Sequence, residues 1–182
     1  SALCSKRAMV SRARAEAGAE LVEGHRLERL EDAGADSVVV ATDGYTRGLV
    51  PELDVVVEPT RGQVVATEPL AARAFEAPHY ARGGFDYWHQ LPDGRLVVGG
   101  WRDTDPGAEQ TYEETVTPVI QRHIDAFIRE LTGAEPRVTH RWSGIFGTTA
   151  DRLPLAGRLP GRDGVWAACG YSGHGNVLGF AC

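Results

Sequence analysis

The chain has 182 residues, 42% hydrophobic and 24% charged, the balance of an ordinary soluble globular protein with one domain or two small ones. Its formal net charge of -6 speaks against a nucleic-acid or anionic-membrane partner, which would favour a basic face. No apolar run approaches the ~20 residues of a bilayer span, and Cys4, Cys169 and Cys182 lack both metal-ligand spacing and a disulfide framework, so a cytoplasmic location is expected.

The first stretch, "SALCSKRAMVSRARAEAGAE", lacks the apolar core of a signal peptide and does not open on Met. Ser5 to Ala17 predicts a helix rich in Ala and Arg, with Gly18 as its stop. "AELVEGHRLERLE" reads as a strand with weak alternation. "DSVVVATDGYT" is the clearest strand. Its β-branched run Val38 to Val40, bounded by Asp36 and by Asp43-Gly44, suits a buried and often parallel position. "DVVVEPTRGQVVATEPL" predicts two short strands around Pro59 and Gly62. "GFDYWHQLPDGRLVVGGW" predicts a hairpin turned at Asp93-Gly94, with Tyr87 and His89 on one face and Trp88 and Gln90 on the other. "TPVIQRHIDAFIREL" predicts the longest helix, capped by Thr117, opened by Pro118 and apolar along Val119, Ile120, Ile124, Phe127, Ile128 and Leu131. "RVTHRWSGIFGTT" and "DGVWAACGYSGHG" read as strands leading into a closing loop. The order suggests an α+β layer inserted into an α/β layer.

That closing loop gathers Gly170, Gly173 and Gly175 around Ser172 and His174, before "NVLGFA", which can start a helix. Glycines there admit positive φ and close approach of another group. Free N–H groups at a helix start favour an anion or developing negative charge. A tight strand-to-helix turn with no ligand fits the same residues. The pattern is not the G-x-G-x-x-G of a dinucleotide-binding unit. The histidines form no metal motif, and Cys169 reads as a buried small residue.

"CGYSGHGNVLGF" resembles the C-terminal flavin loop of the D-amino-acid-oxidase-like FAD oxidoreductases, which include sarcosine, glycine and γ-glutamylputrescine oxidases. "GAELVEGHRLERLE", "DSVVVATDGYT", "EPTRGQVVATEPL", "YWHQLPDGRLVVGG" and "HRWSGIFGTTADRLPLAG" fall in matching order, so the resemblance covers nearly the whole chain. It implies a partial Rossmann-like FAD-binding layer over residues 1–50 and 141–182, with a mostly antiparallel substrate-domain sheet and one long helix inserted over 51–140. It implies non-covalent FAD. Backbone contacts to the cofactor are expected at Thr42 and Gly44, near the adenine at Leu27, and along Gly170, Ser172, Gly173, His174, Gly175 and Asn176. The loop's N–H groups would stabilise negative charge on the reduced flavin. Tyr87, Trp101 and Phe146 are the expected substrate-side residues; Arg102, at the end of the same strand as Trp101, could reach the same cavity, with a solvated surface arginine as the default reading.

The same resemblance marks departures. The family's N-terminal G-x-G-x-x-G unit has no counterpart in this sequence, "LEDAGADSVVV" is short where relatives carry a further hairpin, and the last helix is brief. The chain is therefore expected to be the C-terminal part of a longer flavoprotein. Where amino-acid oxidases often carry a carboxylate-binding arginine, "GIFGTTAD" has Phe146, which points to an amine or bulkier secondary amine as the small-molecule substrate. Val177 replaces a lysine used by some relatives, and Gly144 replaces a cysteine that attaches flavin in others. The expected activity is oxidation of an amine or amino acid to an imine by hydride transfer to flavin. The alternative is a non-catalytic remnant that keeps the sheet as a binding or interaction module. The oligomeric state is open.

Overall fold

The computed structural model describes residues 16–182. The helix expected over Ser5–Ala17 lies outside the described residues except for Glu16 and Ala17, which are helical. The described elements are β1 (Val38–Val40), α1 (Pro51–Asp54), β2 (Glu58–Pro69), β3 (His79–Ala81), β4 (Asp86–Gln90), β5 (Arg95–Gly100), α2 (Pro106–Glu109), α3 (Pro118–Thr132), β6 (Val138–Thr148), β7 (Leu155–Arg158), β8 (Val165–Cys169) and α4 (Gly175–Ala181). They build a mixed α/β fold around two sheets. One sheet has the order β1-β8-β7, the other β3-β4-β5-β2-β6.

In the smaller sheet β1 runs parallel to β8, as its β-branched run suggests, and β7 is antiparallel to β8. One face packs on Leu30, Val50, Leu53, Val57 and Leu159. The other is bare: Val39 is 64% exposed and its ladder partner Trp166 is 42% exposed. Burial pushes the Cys169 thiol on this sheet up to about 11, which keeps it protonated and inert. The strand expected at 19–31 is not formed. Residues 19–29 are almost wholly exposed and join no ladder, and Leu30–Ala33 is a single 3₁₀ turn. Weak alternation there reflects a segment with no face to bury.

The larger sheet is antiparallel throughout and packs α3 on one face. The two short strands expected around Pro59 and Gly62 are one strand of 12 residues. Pro59 is tolerated because β5 pairs β2 only from Val64 onward, which leaves that edge open at the proline. The hairpin forms as expected, with one change. Only Gly94 is left-handed (φ 88°), and it closes a four-residue turn in which its N–H donates to the Leu91 carbonyl (2.9 Å). Two short strands, β3 and β7, escaped the sequence reading. Each has four residues or fewer and no periodic apolar signal.

The α3 core face is as read, with Ile120, Ile124 and Ile128 buried. Thr117 sits at the cap position but its hydroxyl does not cap. It accepts from Gln63 Nε2 (2.8 Å) instead. This hydroxyl belongs to a buried polar cluster centred on Arg61 (3% exposed) and Glu109 (1% exposed). Arg61 donates to both Glu109 oxygens (2.7 and 3.0 Å) and to the carbonyls of Ala108 (2.9 Å) and Glu113 (3.2 Å). Gln63 donates to Glu109 as well (3.0 Å). The cluster pins residues 105–117 across β2, and Glu109 holds the Arg61 pKa above its ordinary value.

One side chain joins the two sheets. Asp43, in the turn after β1, accepts from Gly147 N–H on β6 through Oδ2 (2.9 Å). Its Oδ1 accepts from Gly170 (2.9 Å) and Tyr171 (3.2 Å) after β8. The neighbouring Gly44 packs so tightly on β6 that a Cβ would stand 2.6 Å from the Phe146 carbonyl carbon.

Two stability effects follow. Asp43→Asn keeps the size and the tolerance of the left-handed backbone (φ 48°) but sets an NH2 against a backbone N–H. It is expected to cost about 1–3 kcal/mol in urea unfolding, and Asp43→Ala more, because alanine also resists that φ. Arg61→Met leaves Glu109 buried and unpaired, at an expected cost of about 3–5 kcal/mol. Adding Glu109→Gln should recover part of the loss in the same unfolding measurement.

Candidate functional site

The sheet face opposite α3 carries a cavity of about 600 Å³. The register explains its shape. Tyr80, Tyr87, Gly99, Val64 and Trp142 are successive ladder partners across β3, β4, β5, β2 and β6. Aromatic rings therefore rise at both ends, and small residues lie between. The Tyr87 ring covers Gly99, where a Cβ would meet it at 2.5 Å. Gly62 and Gly144, also ladder partners, form the floor. Gly144 has no backbone reason to be glycine: its φ is ordinary, and a Cβ added there meets nothing within 4 Å. Glycine inside a strand weakens it and often marks close approach by a ligand.

The Gly-rich loop forms the far wall. Ser172 is left-handed (φ 51°), its N–H donates to the Gly147 carbonyl (2.8 Å), and its Oγ accepts from Thr149 N–H (3.4 Å). With Asp43 holding Gly170 and Tyr171, the loop is tied to β6 at several points. Beyond Ser172 the ties stop: the N–H groups of Gly173, Gly175 and Asn176 have no acceptor among the described residues. Gly173, Gly175 and Asn176 line the cavity. His174 turns toward the neighbouring cavity of about 480 Å³ and shares a hydrogen bond with Tyr80 Oη (3.2 Å). Phe146, Tyr80, Arg102 and Ser172 line both cavities.

On the other side of the Asp43 turn is a third cavity of about 640 Å³, lined by Leu27, Thr42, Tyr45, Arg47 and Tyr112 among others. Leu27 and Thr42 thus share one cavity, apart from the residues of the loop. Thr42 Oγ1 is buried with no hydrogen-bond partner, a donor and acceptor left for something else. Gly44 reaches none of these cavities; its missing side chain serves the close packing on β6. Gly170 (φ 71°) is likewise packed, with a Cβ position 2.7 Å from a Thr149 methyl.

Trp101 is not in the cavity. Its indole is 9% exposed in the α3 core, with its ring centroid 4.8 Å from that of Phe127. The cause is local. Gly100 (φ 135°) and Trp101 (φ 60°) break the strand alternation, sending Trp101 inward and Arg102 into the cavity. Asp43 is the residue that the sequence reading passed over, and Arg102 reaches the cavity that the sequence allowed it, against the surface position taken as its default. A lone arginine and an Asp-Gly turn carry no signal of long-range contact.

Bare N–H groups, an open glycine floor and aromatic walls suit a planar, acceptor-rich ring, and the orphaned Thr42 hydroxyl suits the polar remainder of such a ligand. FAD has both parts. No group of His, Cys, Asp and Glu among the described residues is placed to hold a metal ion. No helix among them is long and apolar enough to cross a membrane.

Comparison with known proteins agrees. The "Probable oxidoreductase OrdL" of Rhizobium meliloti is 30% identical over 193 residues, covering 95% of this chain and 43% of that protein. The "Gamma-glutamylputrescine oxidoreductase" of Escherichia coli is 31% identical over 149 residues, covering 78% of this chain and 33% of that protein. Among solved structures, iminodiacetate oxidase from Chelativorans sp. BNC1 superposes with a TM-score of 0.65 at 21% identity, over 80% of this chain and 39% of that one. Glycine oxidase from Geobacillus kaustophilus gives 0.63 at 21% identity, over 79% and 38%. The chain spans less than half the length of these curated relatives. The family model described as FAD dependent oxidoreductase matches residues 6–182, and the chain belongs to that family of flavoenzymes.

Proposed function

We propose that the chain forms the substrate side and the ring-facing loop of a FAD-dependent enzyme that oxidises an amine or amino acid to the imine. The observation that carries this reading is the cavity bounded by the bare N–H groups of Gly173, Gly175 and Asn176 and floored by the open Gly144. Bound non-covalently, FAD supplies the acceptor for the hydride of the substrate. The protein supplies position and field. Tyr87 and Phe146 wall the substrate space and exclude water, and the loop N–H groups are held ready by Asp43 to stabilise charge on the ring. Such preorganisation favours the reduced state without rearrangement at the moment of reaction. Leu27 and Thr42 line the path toward the adenosine end.

In this reading residues 1–50 and 141–182 belong to the FAD-binding layer and 51–140 to the substrate layer, with β6 crossing between them. Further contacts to the pyrophosphate and adenosine come from additional polypeptide. The bare sheet face with Val39 and Trp166, and the exposed Val177 (72%) and Phe180 (88%) of α4, offer it a seat. Parallel strands are ordinarily covered on both faces.

FAD titration of the chain, followed by flavin absorbance, is the test. Saturable binding is expected. Gly144→Val fills the open floor with a residue that suits a strand, so the melting temperature should hold while FAD affinity falls about tenfold or more. Equal FAD affinity in both proteins would remove the floor above Gly144 as the seat of the ring. No saturable binding to the wild-type chain would contradict the proposed role of the loop.

A further inference from the structure

Left-handed backbone is concentrated at one end of the β4–β5 hairpin. Gly83 and Gly84 (φ 64° and 95°) precede β4, and Gly100 (φ 135°) ends β5. Two residues that resist this region join them, Arg82 (φ 46°) before β4 and Trp101 (φ 60°) after β5. A bulky side chain there is strained, and such strain persists only where the surroundings over-determine it. The two segments are pressed together. Trp101 N–H donates to the Phe85 carbonyl (2.7 Å), and a Cβ on Gly100 would overlap that same carbonyl oxygen.

One side chain spans both segments. Arg82 donates through Nε and Nη2 to Asp86 at the start of β4 (2.6 Å each). It donates through Nη1 and Nη2 to Asp103, beyond Trp101 (2.7 and 3.3 Å). Its guanidinium lies 5.6 Å from the centre of the Trp101 ring. Asp86 and then Asp103 hold the Arg82 pKa above its ordinary value. Arg82 itself lines neither cavity, whereas Arg102, next to the strained tryptophan, lines both. No ion pair places Arg102. Its guanidinium rests over the rings of Phe85 (4.5 Å) and Phe146 (5.5 Å) and donates to the Gly84 carbonyl (3.1 Å). Asp103 is taken by Arg82 and Glu109 by Arg61, and Glu58, on the same cavity wall, forms no ion pair with Arg102. The backbone at 100–102 therefore decides where Arg102 stands.

We propose that Arg82 is a positioning residue of the cavity. It touches no ligand. By clamping Asp86 and Asp103 it holds Trp101 left-handed, and so keeps Arg102 over the two phenylalanine rings, in the wall that the two cavities share. The strain at Trp101 is the means by which an ion pair outside the cavities shapes that wall. That this wall serves a flavin enzyme rests on the proposed function, whereas the clamp does not.

The Arg102 Nε–Hε signal in NMR, assigned by its loss in Arg102→Lys, reports the position directly, because a guanidinium over aromatic faces resonates upfield of an exposed one. In the whole chain it should stand upfield of the exposed arginines. Arg82→Gln should move it to the exposed position, and Arg82→Lys, which keeps the charge but loses the fork, should leave it between. Arg141→Gln, which loses the ion pair to Asp125 on the α3 side of the same sheet, should leave it in place. Arg82→Gln should also weaken FAD binding about threefold or more, and Arg141→Gln should not. If the unpaired Asp86 carboxylate keeps Arg82→Gln from folding, Arg82→Gln with Asp86→Asn removes that charge and answers the same question. An Arg102 signal unmoved in the Arg82 variants, or moved equally by Arg141→Gln, would overturn the assignment. So would a displaced signal with unchanged FAD affinity. If the wild-type chain binds no FAD, the flavin reading falls and the Arg102 signal alone decides the clamp.

Discussion

One carboxylate decides the geometry of this protein. Asp43 gathers N–H groups from β6 and from the segment after β8, which are more than 20 residues apart in sequence, onto one turn. Backbone N–H groups at the meeting of two sheets have no ladder partner of their own. Left bare and buried they would each cost free energy comparable to a lost hydrogen bond. Asp43 satisfies them together and thereby sets where the Gly-rich loop stands relative to the cavity floor. Gly44, next in the chain, lets β6 come close enough for this to happen. The residue that fixes the turn and the residue that permits the contact are adjacent, which is why the short stretch Thr42–Gly44 matters to both cavities it separates.

Two arginines show how differently the fold treats charge. Arg61 is enclosed, and its donors are taken by Glu109, backbone carbonyls and the Thr115 hydroxyl (3.2 Å). That arrangement adds specificity of position to residues 105–117 more than net stability, since desolvating an ion pair offsets much of its attraction. Arg102 is half-buried with most of its donors idle. The contrast is informative because Glu109, the partner of Arg61, lines the same cavity as Arg102. The same chain that fully answers one buried charge leaves another open at the place where aromatic rings and an unpaired tyrosine hydroxyl converge.

Much of this architecture is legible in the sequence. The Val38–Val40 run announces a parallel strand, the α3 stripe announces its core face, and Gly94 announces its turn, because each signal is local and periodic. The Gly-rich loop is legible through its resemblance to a family. What escapes is non-local. Asp43 reads as an ordinary Asp-Gly turn until β6 and β8 are folded beside it. Thr117 looks like a cap until Gln63 arrives from β2 to take its hydroxyl. Trp101 turns into the core and leaves the cavity to Arg102 because a left-handed tryptophan breaks the alternation, and no pattern in "GGWRD" signals that. The strand misread at 19–31 fails for the opposite reason: apolar residues were present, but no face awaited them.

The claim that Asp43 holds the loop in place is tested most directly by native-state amide hydrogen exchange. The amides of Gly147, Gly170 and Tyr171 should be protected to the level of the β8 ladder, while Gly173 and Gly175, a few residues on, exchange as open amides. Exchange of Gly170 and Tyr171 as fast as that of Gly173 would contradict the account, because the loop would then be held by something other than the Asp43 carboxylate.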